Sequence, residues 1–366
     1  MKIYHICTDS VFLNSIVRNF NATETENVFC TLSKKLTSHK ILKIFKTPRE
    51  LCKEINEKAD LVIIHSLCII PKELLNIDKR IVWSTWGYDI YSQFEYNRKF
   101  LIVCELYKDK TKKFFYNPFV FMRNLITRLK DFIFSRYSKK YLDLFYKKVN
   151  YLSTVLDIEF DIIAKNNPVY NFKKFILKYA DYQKEPKKFS MTEYIENIWI
   201  GNSATPENNH LDVIDVLKSR GIACNICLPV SYGNPLYKKF LQKSLYKSEN
   251  VKLIENFMPL DEYNKLCSEY GNFVFGNIRQ QAMGNIYNAL MTGKRVFLYK
   301  DSIIYKALCN LGYKVFSIDD DLTVETIKMP FDYEDALYNY NLFWKYNDGK
   351  KLLKLLKEQL EIICKD

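Results

Sequence analysis

No stretch of this 366-residue chain is apolar enough to cross a bilayer. The longest apolar run, residues 61–70, is interrupted by His65 and Ser66 and falls well short of the ~20 residues that a spanning helix needs. The opening MKIYHICTDS does not read as a signal peptide, because the apolar run after Lys2 is too short and polar residues arrive by Thr8. Histidine is scarce, at four residues, which argues against a phosphosugar epimerase with clustered acid–base groups around a nucleotide. The loop at 201–210 has neither a dinucleotide GxGxxG pattern nor a Walker lysine. Paired carboxylates for a metal are missing too. Asp319-Asp320-Asp321 has the letters of a DxD site, but it follows an apolar strand near the end of the chain and reads as a solvated turn. No metal and no cofactor are therefore expected. The ten cysteines are scattered, and with no export pattern they read as reduced, buried thiols of a cytosolic protein. Cys224 and Cys227 form one CxxC, but inside an apolar run and without a second pair.

What is present is a globular composition, 48% hydrophobic and 27% charged, with enough length for two domains. The formal charge of +13 points to a polyanionic partner: an anionic membrane face, a phosphorylated substrate or nucleic acid. Strands and helices alternate twice. Residues 2–7, 28–32, 41–45, 61–65 and 80–84 read as strands, 48–58 as a helix and 71–75 as a shorter one. After a strand running into a helix at 151–163 and a further strand at 175–179, the polar stretch 184–190 reads as a linker. The alternation then restarts, with strands at 197–200, 222–230 and 251–254, and helices opening near 211, 236 and 261. This predicts two α/β domains, 1–183 and 184–345, with a helical tail at 346–366 that can cross back to the first. Two Rossmann-like domains facing a cleft describe the GT-B architecture.

The most informative stretch is 272–299. Phe273 to Phe275 end a buried strand, and a polar loop holds Arg279, Gln280 and Gln281. Met283, Ile286, Ala289 and Leu290 then recur at helical spacing up to Gly293, and 295–299 resumes a strand. In such a βαβ unit the loop after the first strand lies at the carboxyl edge of the sheet. There a helix N-terminus and a cation can hold an anion. Gly284 and Asn285 would let a ligand come close to the backbone, and Asn288 falls where a ribose contact is possible. The same pattern is also that of an ordinary α/β unit with a surface arginine.

Two further regions stand out. Trp83, Trp86, Gly87, Asp89 and Tyr91 follow a strand and suit a sugar, whose apolar face stacks on aromatic rings while a carboxylate accepts hydroxyl protons. They equally suit a core in which Asp89 only caps a turn. Residues 108–148 carry twelve Lys and Arg against three Asp. Among them are Lys112, Lys113, Arg123, Arg128, Lys130, Arg136, Lys139 and Lys140, interleaved with aromatics and with apolar residues at helical spacing. That is the pattern of a helix on an anionic membrane surface, or of one packed on its own domain with a solvated basic face. Without a recognisable nucleic-acid module, nucleic acid is not expected as a partner.

These residues also carry a family resemblance. Trp83-x-x-Trp86-Gly87-x-Asp89-x-Tyr91, then Gly201-Asn202-Ser203 with Asn208 and His210, then Pro229 with Tyr232, and last Arg279-Gln280-Gln281 with Gly284 lie in collinear order over most of the chain. They resemble the TDP-N-acetylfucosamine:lipid II N-acetylfucosaminyltransferases (4-α-L-fucosyltransferases) of enterobacterial common antigen synthesis. Two departures are Ala204-Thr205-Pro206 after the GNS block and the unusually basic 108–148. The resemblance implies a GT-B fold, a dTDP-sugar donor such as a 4-acetamido-4,6-dideoxygalactose, and a polyprenyl-pyrophosphate-linked saccharide acceptor. It also implies peripheral attachment to the cytoplasmic face of the inner membrane. Transfer within another lipid-linked glycan, such as O-antigen or capsule, with a different donor is the alternative. So is a non-catalytic sugar-binding protein at the membrane surface.

On this reading, Arg279 and the helix N-terminus near Gly284 and Asn285 stabilise the departing nucleotide diphosphate. A general base, if one is needed, comes from the first domain, with Asp89 ahead of Asp9 and His5.

Overall fold

The computed structural model describes residues 1–7, 12–32, 40–66, 72–92, 101–133, 139–191 and 193–365. They form two compact units. One gathers residues 1–103, 127–186 and 347–366, and the other residues 104–126 and 187–346.

The first unit is built on strands β1 (Lys2–Cys7), β2 (Glu26–Thr31), β3 (Lys43–Ile44), β4 (Leu61–His65) and β5 (Arg80–Ser84). A small ladder of β6 (Tyr91–Ser92) and β7 (Ile102–Val103) stands apart, and β8 (Tyr151–Ser153) and β9 (Lys173–Lys174) complete the main sheet. Its seven strands are all parallel, in the order β3-β2-β1-β4-β5-β8-β9. LVIIH of β4 is buried along its whole length, as a strand covered on both faces must be. The helix Pro48–Lys58 starts where Thr47 accepts the backbone N–H of Glu50 with proline in the first position, an arrangement that satisfies an otherwise orphaned donor. Leu352, Leu356, Leu360 and Ile363 line one side of the C-terminal helix Gly349–Lys365 and close the core against Phe20, Leu61 and Val82. A Cβ at Gly349 would stand 1.9 Å from the Tyr182 carbonyl oxygen, so only glycine lets the chain pass there. Of residues 175–179, expected as a strand, only Phe175 continues the ladder, its N–H donating to the Leu152 carbonyl (3.0 Å). The N–H groups of Ile176 and Leu177 donate instead to the side chains of Gln359 and Ser153.

The second unit has β10 (Ile198–Ile200), β11 (Ile226–Pro229), β12 (Val251–Ile254), β13 (Asn272–Phe275), β14 (Arg295–Leu298) and β15 (Phe316–Ser317). They form a parallel sheet ordered β12-β11-β10-β13-β14-β15. In both units the strands run outward from a central pair, β1/β4 in one and β10/β13 in the other. The order reverses there, and in open α/β sheets the carboxyl ends at such a reversal are where ligands bind.

The basic stretch folds as three helices, Asp109–Phe115, Pro118–Ile133 and Lys139–Lys148. The sequence reading assigned it to the first domain, yet residues 104–126 fold with the second unit. Asp212 accepts hydrogen bonds from the Lys110 N–H (2.7 Å), the Thr111 N–H (2.9 Å) and the Thr111 hydroxyl (2.6 Å). Phe114 is buried against Tyr237 and Phe240. Charge pattern says nothing about which core an aromatic side chain will find.

Candidate functional site

At the carboxyl edge of the second sheet, β10 ends in Gly201 with φ of +69°. A Cβ there would meet Asn208 Oδ1 at 2.7 Å and His210 Nε2 at 2.9 Å. Glycine is thus required on two counts, backbone conformation and space. Asn208 is fully buried and donates to the Ser203 carbonyl (3.0 Å) and the Thr205 hydroxyl (2.8 Å), while accepting the Asn202 N–H (3.2 Å). Burial lowers the His210 imidazole to about 3, so it stands neutral, with Nδ1 3.4 Å from the Tyr237 hydroxyl. Asn208 and His210, expected to hold the donor, are thus fully buried in the frame of the loop, and His210 Nε2 has no partner among the described residues.

Asn209 ties the loops together from a left-handed conformation, φ +48°, which asparagine tolerates better than most residues. Its Nδ2 donates to the carbonyls of Leu106 (3.1 Å) and Gly276 (2.8 Å), and its Oδ1 accepts the Lys108 N–H (2.9 Å). The loop behind β11 joins through Gly233, where a Cβ would lie 2.6 Å from the Ala204 backbone. Pro229 is buried in β11 itself and only shapes that loop.

Within this frame four half-buried or exposed groups gather. Asn202 Nδ2 donates to the Tyr232 hydroxyl (2.9 Å), and Gln281 Nε2 donates to the Thr205 hydroxyl (2.9 Å) and reaches Asn202 Oδ1 (3.4 Å). Arg279 stands beside them, its Nη1 donating to the Gln280 carbonyl (2.9 Å) and its Nη2 3.7 Å from Glu207 Oε1. Gln280 is buried, and its Oε1 has no partner among the described residues. The helix Met283–Met291 opens directly after, from Ala282 in a left-handed conformation and without a side-chain cap. A Cβ on Gly284 would meet open space. Asn285 donates to the Tyr263 hydroxyl (2.6 Å), and Asn288 lies three residues on, along the same helix face. Sequence reasoning missed Glu207 and the segment 104–108. The latter borders Arg279 closely enough that the guanidinium opposes the burial that raises the Cys104 thiol to about 11. A carboxylate beside a polar loop and a segment distant in sequence leave no local pattern to find.

The first sheet presents a different edge. Trp83, expected to bind a sugar, is fully buried and stacks on Tyr146 at 5.6 Å. Tyr91 is buried with its hydroxyl donating to Glu159 (2.7 Å). Asp89 is buried and accepts the Trp86 N–H (2.9 Å), so it holds the turn that Gly87 makes with φ of +91°. Apolar neighbours on both faces of β5 draw these side chains inward, and of the set only Trp86 remains half-exposed. It meets Phe12 at 5.2 Å and Tyr179 at 5.4 Å. His5, considered as a base, is fully buried and bonded to His65 (3.0 Å) and Asn27 (3.1 Å). Asp9 lies outside the described residues.

Of the basic residues, Lys112 pairs with Glu105 and with Asp109 (3.3 Å). Lys113 and Arg123 are exposed. Arg136 and the side chains of Arg128, Lys130, Lys139 and Lys140 lie outside the described residues. Phe119, Phe121, Met122, Leu125 and Ile126 of the helix Pro118–Ile133 are exposed, Phe119 by 67%. Among the described residues no group of three His, Cys, Asp or Glu is placed to hold a metal ion, and no helix is long and apolar enough to cross a membrane. Asp319 to Asp321 form a turn that binds the N–H groups of Lys300 and Ser317.

No family model matches the sequence. Solved structures do. HepE of Anabaena, determined with UDP and glucose, is 11% identical with a TM-score of 0.61, over 99% of each chain. A glycosyltransferase from Rickettsia africae is 11% identical with a TM-score of 0.59, over 99% of this chain and 97% of its own. An E. coli structure of trehalose-6-phosphate bound with UDP-2-fluoro glucose is 8% identical with a TM-score of 0.55, over 99% of each. The fold is that of the GT-B glycosyltransferases, with two parallel-sheet Rossmann-like domains. Likeness at this level of identity speaks for the fold, and the site has to speak for itself.

Proposed function

We propose that this protein is a glycosyltransferase that binds a nucleotide-sugar donor at the carboxyl edge of its second sheet. One observation carries the reading. Arg279, Gln281, Asn202 and Tyr232 converge, with an uncapped helix N-terminus, at the strand-order reversal of a GT-B fold. As the sugar leaves, negative charge grows on the nucleotide diphosphate. Arg279 and the free N–H groups at the start of Met283–Met291 oppose that charge, while Asn285 and Asn288 face the nucleoside side. Gly284 leaves room for a phosphate against the helix backbone.

The finer reading follows the resemblance. The donor is a dTDP-linked deoxy-amino sugar and the acceptor a polyprenyl-pyrophosphate-linked saccharide, met at the cytoplasmic face of the inner membrane. Exposed Phe119, Phe121, Met122, Leu125 and Ile126 beside Lys113 and Arg123 favour attachment to an anionic bilayer.

Thermal-shift titration with dTDP, UDP, GDP and ADP tests the donor site, because a ligand of the folded state alone raises the melting temperature with concentration. A shift with dTDP supports the full reading. A shift with UDP keeps the transferase and replaces the donor. Stabilisation by none of them, together with sugar binding that survives Arg279→Ala, would point to a non-catalytic sugar-binding protein instead.

A further inference from the structure

Segment 104–108 is distant from the second sheet in sequence but borders its carboxyl edge in space. Asn209 pins it at two points. The Leu106 carbonyl accepts from Asn209 Nδ2 (3.1 Å), and the Lys108 N–H donates to Asn209 Oδ1 (2.9 Å). The same Nδ2 donates to the Gly276 carbonyl (2.8 Å), at the head of the loop that carries Arg279. Tyr107 sits between the two anchors, and its ring packs on Phe115 at 4.4 Å. Phe115 ends the helix Asp109–Phe115, which Asp212 and the buried Phe114 fix to the same unit.

The charged neighbours of Tyr107 are already engaged. Lys108 Nζ pairs with Asp301 (2.8 Å) over the Tyr299 ring, Lys110 pairs with Asp215 (3.0 Å), and Glu105 pairs with Lys112. Tyr107 is different. Burial first, and the Glu207 carboxylate after it, raise its hydroxyl above the usual tyrosine range against the opposing pull of Arg279, and no hydrogen bond contributes. The residue is half-buried, and its oxygen is not one of the enclosed polar atoms that lack a partner, so it is not sealed from a ligand. A neutral phenol with a free hydrogen thus stands in the field of both Arg279 and Glu207. Arg279 alone is a weakened anion site, because Glu207 Oε1 lies 3.7 Å from its Nη2 and offsets part of its charge. A neutral donor strengthens such a site without adding a second cation for Glu207 to cancel.

We infer that Tyr107 completes the donor site from the 104–126 segment, its hydroxyl donating a hydrogen to the diphosphate that Arg279 holds. This rests on the transferase reading for the identity of the ligand, but the contact itself needs only a diphosphate. The bond is charge-assisted and strengthens as the sugar departs and charge grows on the leaving group. Tyr107 keeps its proton throughout, and no covalent bond is made or broken at its oxygen.

The test is calorimetric titration of the full chain with UDP, dTDP, the nucleosides uridine and thymidine, and inorganic pyrophosphate. Tyr107→Phe keeps the ring on Phe115 and removes only the hydroxyl, so urea unfolding should hardly change. It should weaken whichever diphosphates bind by about tenfold or more, the effect of one hydrogen bond to a charged group, and leave the nucleosides alone. Diphosphate binding that Arg279→Ala abolishes and Tyr107→Phe leaves untouched overturns the inference and keeps the transferase reading. An equal loss for nucleosides and diphosphates also overturns it, because the ring would then be misplaced for every ligand. Pyrophosphate bound with the expected loss, but no nucleoside diphosphate bound more tightly, sinks the transferase reading and leaves this contact intact. Binding of none of the probes sinks both.

Discussion

The two sheets share one topology and put opposite chemistry at the same place. At the β10/β13 reversal the groups are amides, a hydroxyl and a guanidinium, half-exposed and stitched by Asn202, Asn208 and Asn209. At the β1/β4 reversal they are two buried imidazoles under an aromatic corner of Phe12, Trp86 and Tyr179. Strand order therefore sets where a ligand goes and leaves open what it is. The side chains gathered at each reversal set its chemistry, a guanidinium with amides in one unit and aromatic rings over imidazoles in the other.

The largest expected effect on this contrast comes from Arg279→Ala. Losing a preorganised cation where charge develops should lower the turnover of sugar transfer by about a hundredfold to a thousandfold. The histidine tautomers of the first unit should stay as they are, and an NMR spectrum alongside the rate assay checks both.

Acidification should separate the units next. The native pKa values of His5, His65 and His210 lie below the ordinary 6.5, so the unfolded state takes up protons first. Their stabilising contribution is complete above about pH 6.5 and is lost as pH falls below it. Each imidazole then costs about 2 kcal/mol at pH 5, from 1.36 kcal/mol per pH unit. With two in the first unit and one in the second, hydrogen exchange at pH 7 and 5 should show the first unit losing about twice as much. Equal losses would break the contrast.

Asn209→Ala acts on the second unit alone. It removes buried bonds to Leu106, Gly276 and Lys108 and leaves a non-asparagine residue in a left-handed conformation, for an expected loss of about 2–4 kcal/mol. Urea unfolding measures the loss, and a similar fall in the protection of the first sheet would contradict it. Tyr232→Phe should be the mildest change. It deletes one exposed partner of Asn202, worth no more than about 1 kcal/mol of stability, and should weaken nucleotide binding only a few-fold in a calorimetric titration.

Much of the architecture was legible along the chain. The continuous apolar run of β4, the strand–loop–helix at 272–299 and the small-residue loop after β10 are local patterns. Burial on both faces and helical periodicity write them directly into residue order. The candidate donor site was largely legible too, because loops after parallel strands fall at one sheet edge by topology. The roles of single residues were not. Trp83 and Trp86 look alike in sequence, yet one is core and the other half-exposed, since β5 turns one inward and the turn held by Asp89 leaves the other out. Asn208 and His210 sit among half-buried neighbours but are themselves fully buried against Gly201.

By itself, then, the sequence determined two α/β domains and a loop at 276–281 that carries Arg279 after a buried strand, because these depend on periodicity and chain order over short spans. Only tertiary structure decided that residues 104–126 join the second unit, that Glu207 stands beside Arg279, and that His5, His65 and Tyr179 form one chain. Those pairings span from 60 positions to over a hundred in sequence, and they are set by which core each side chain can fill and which buried polar atom needs a partner.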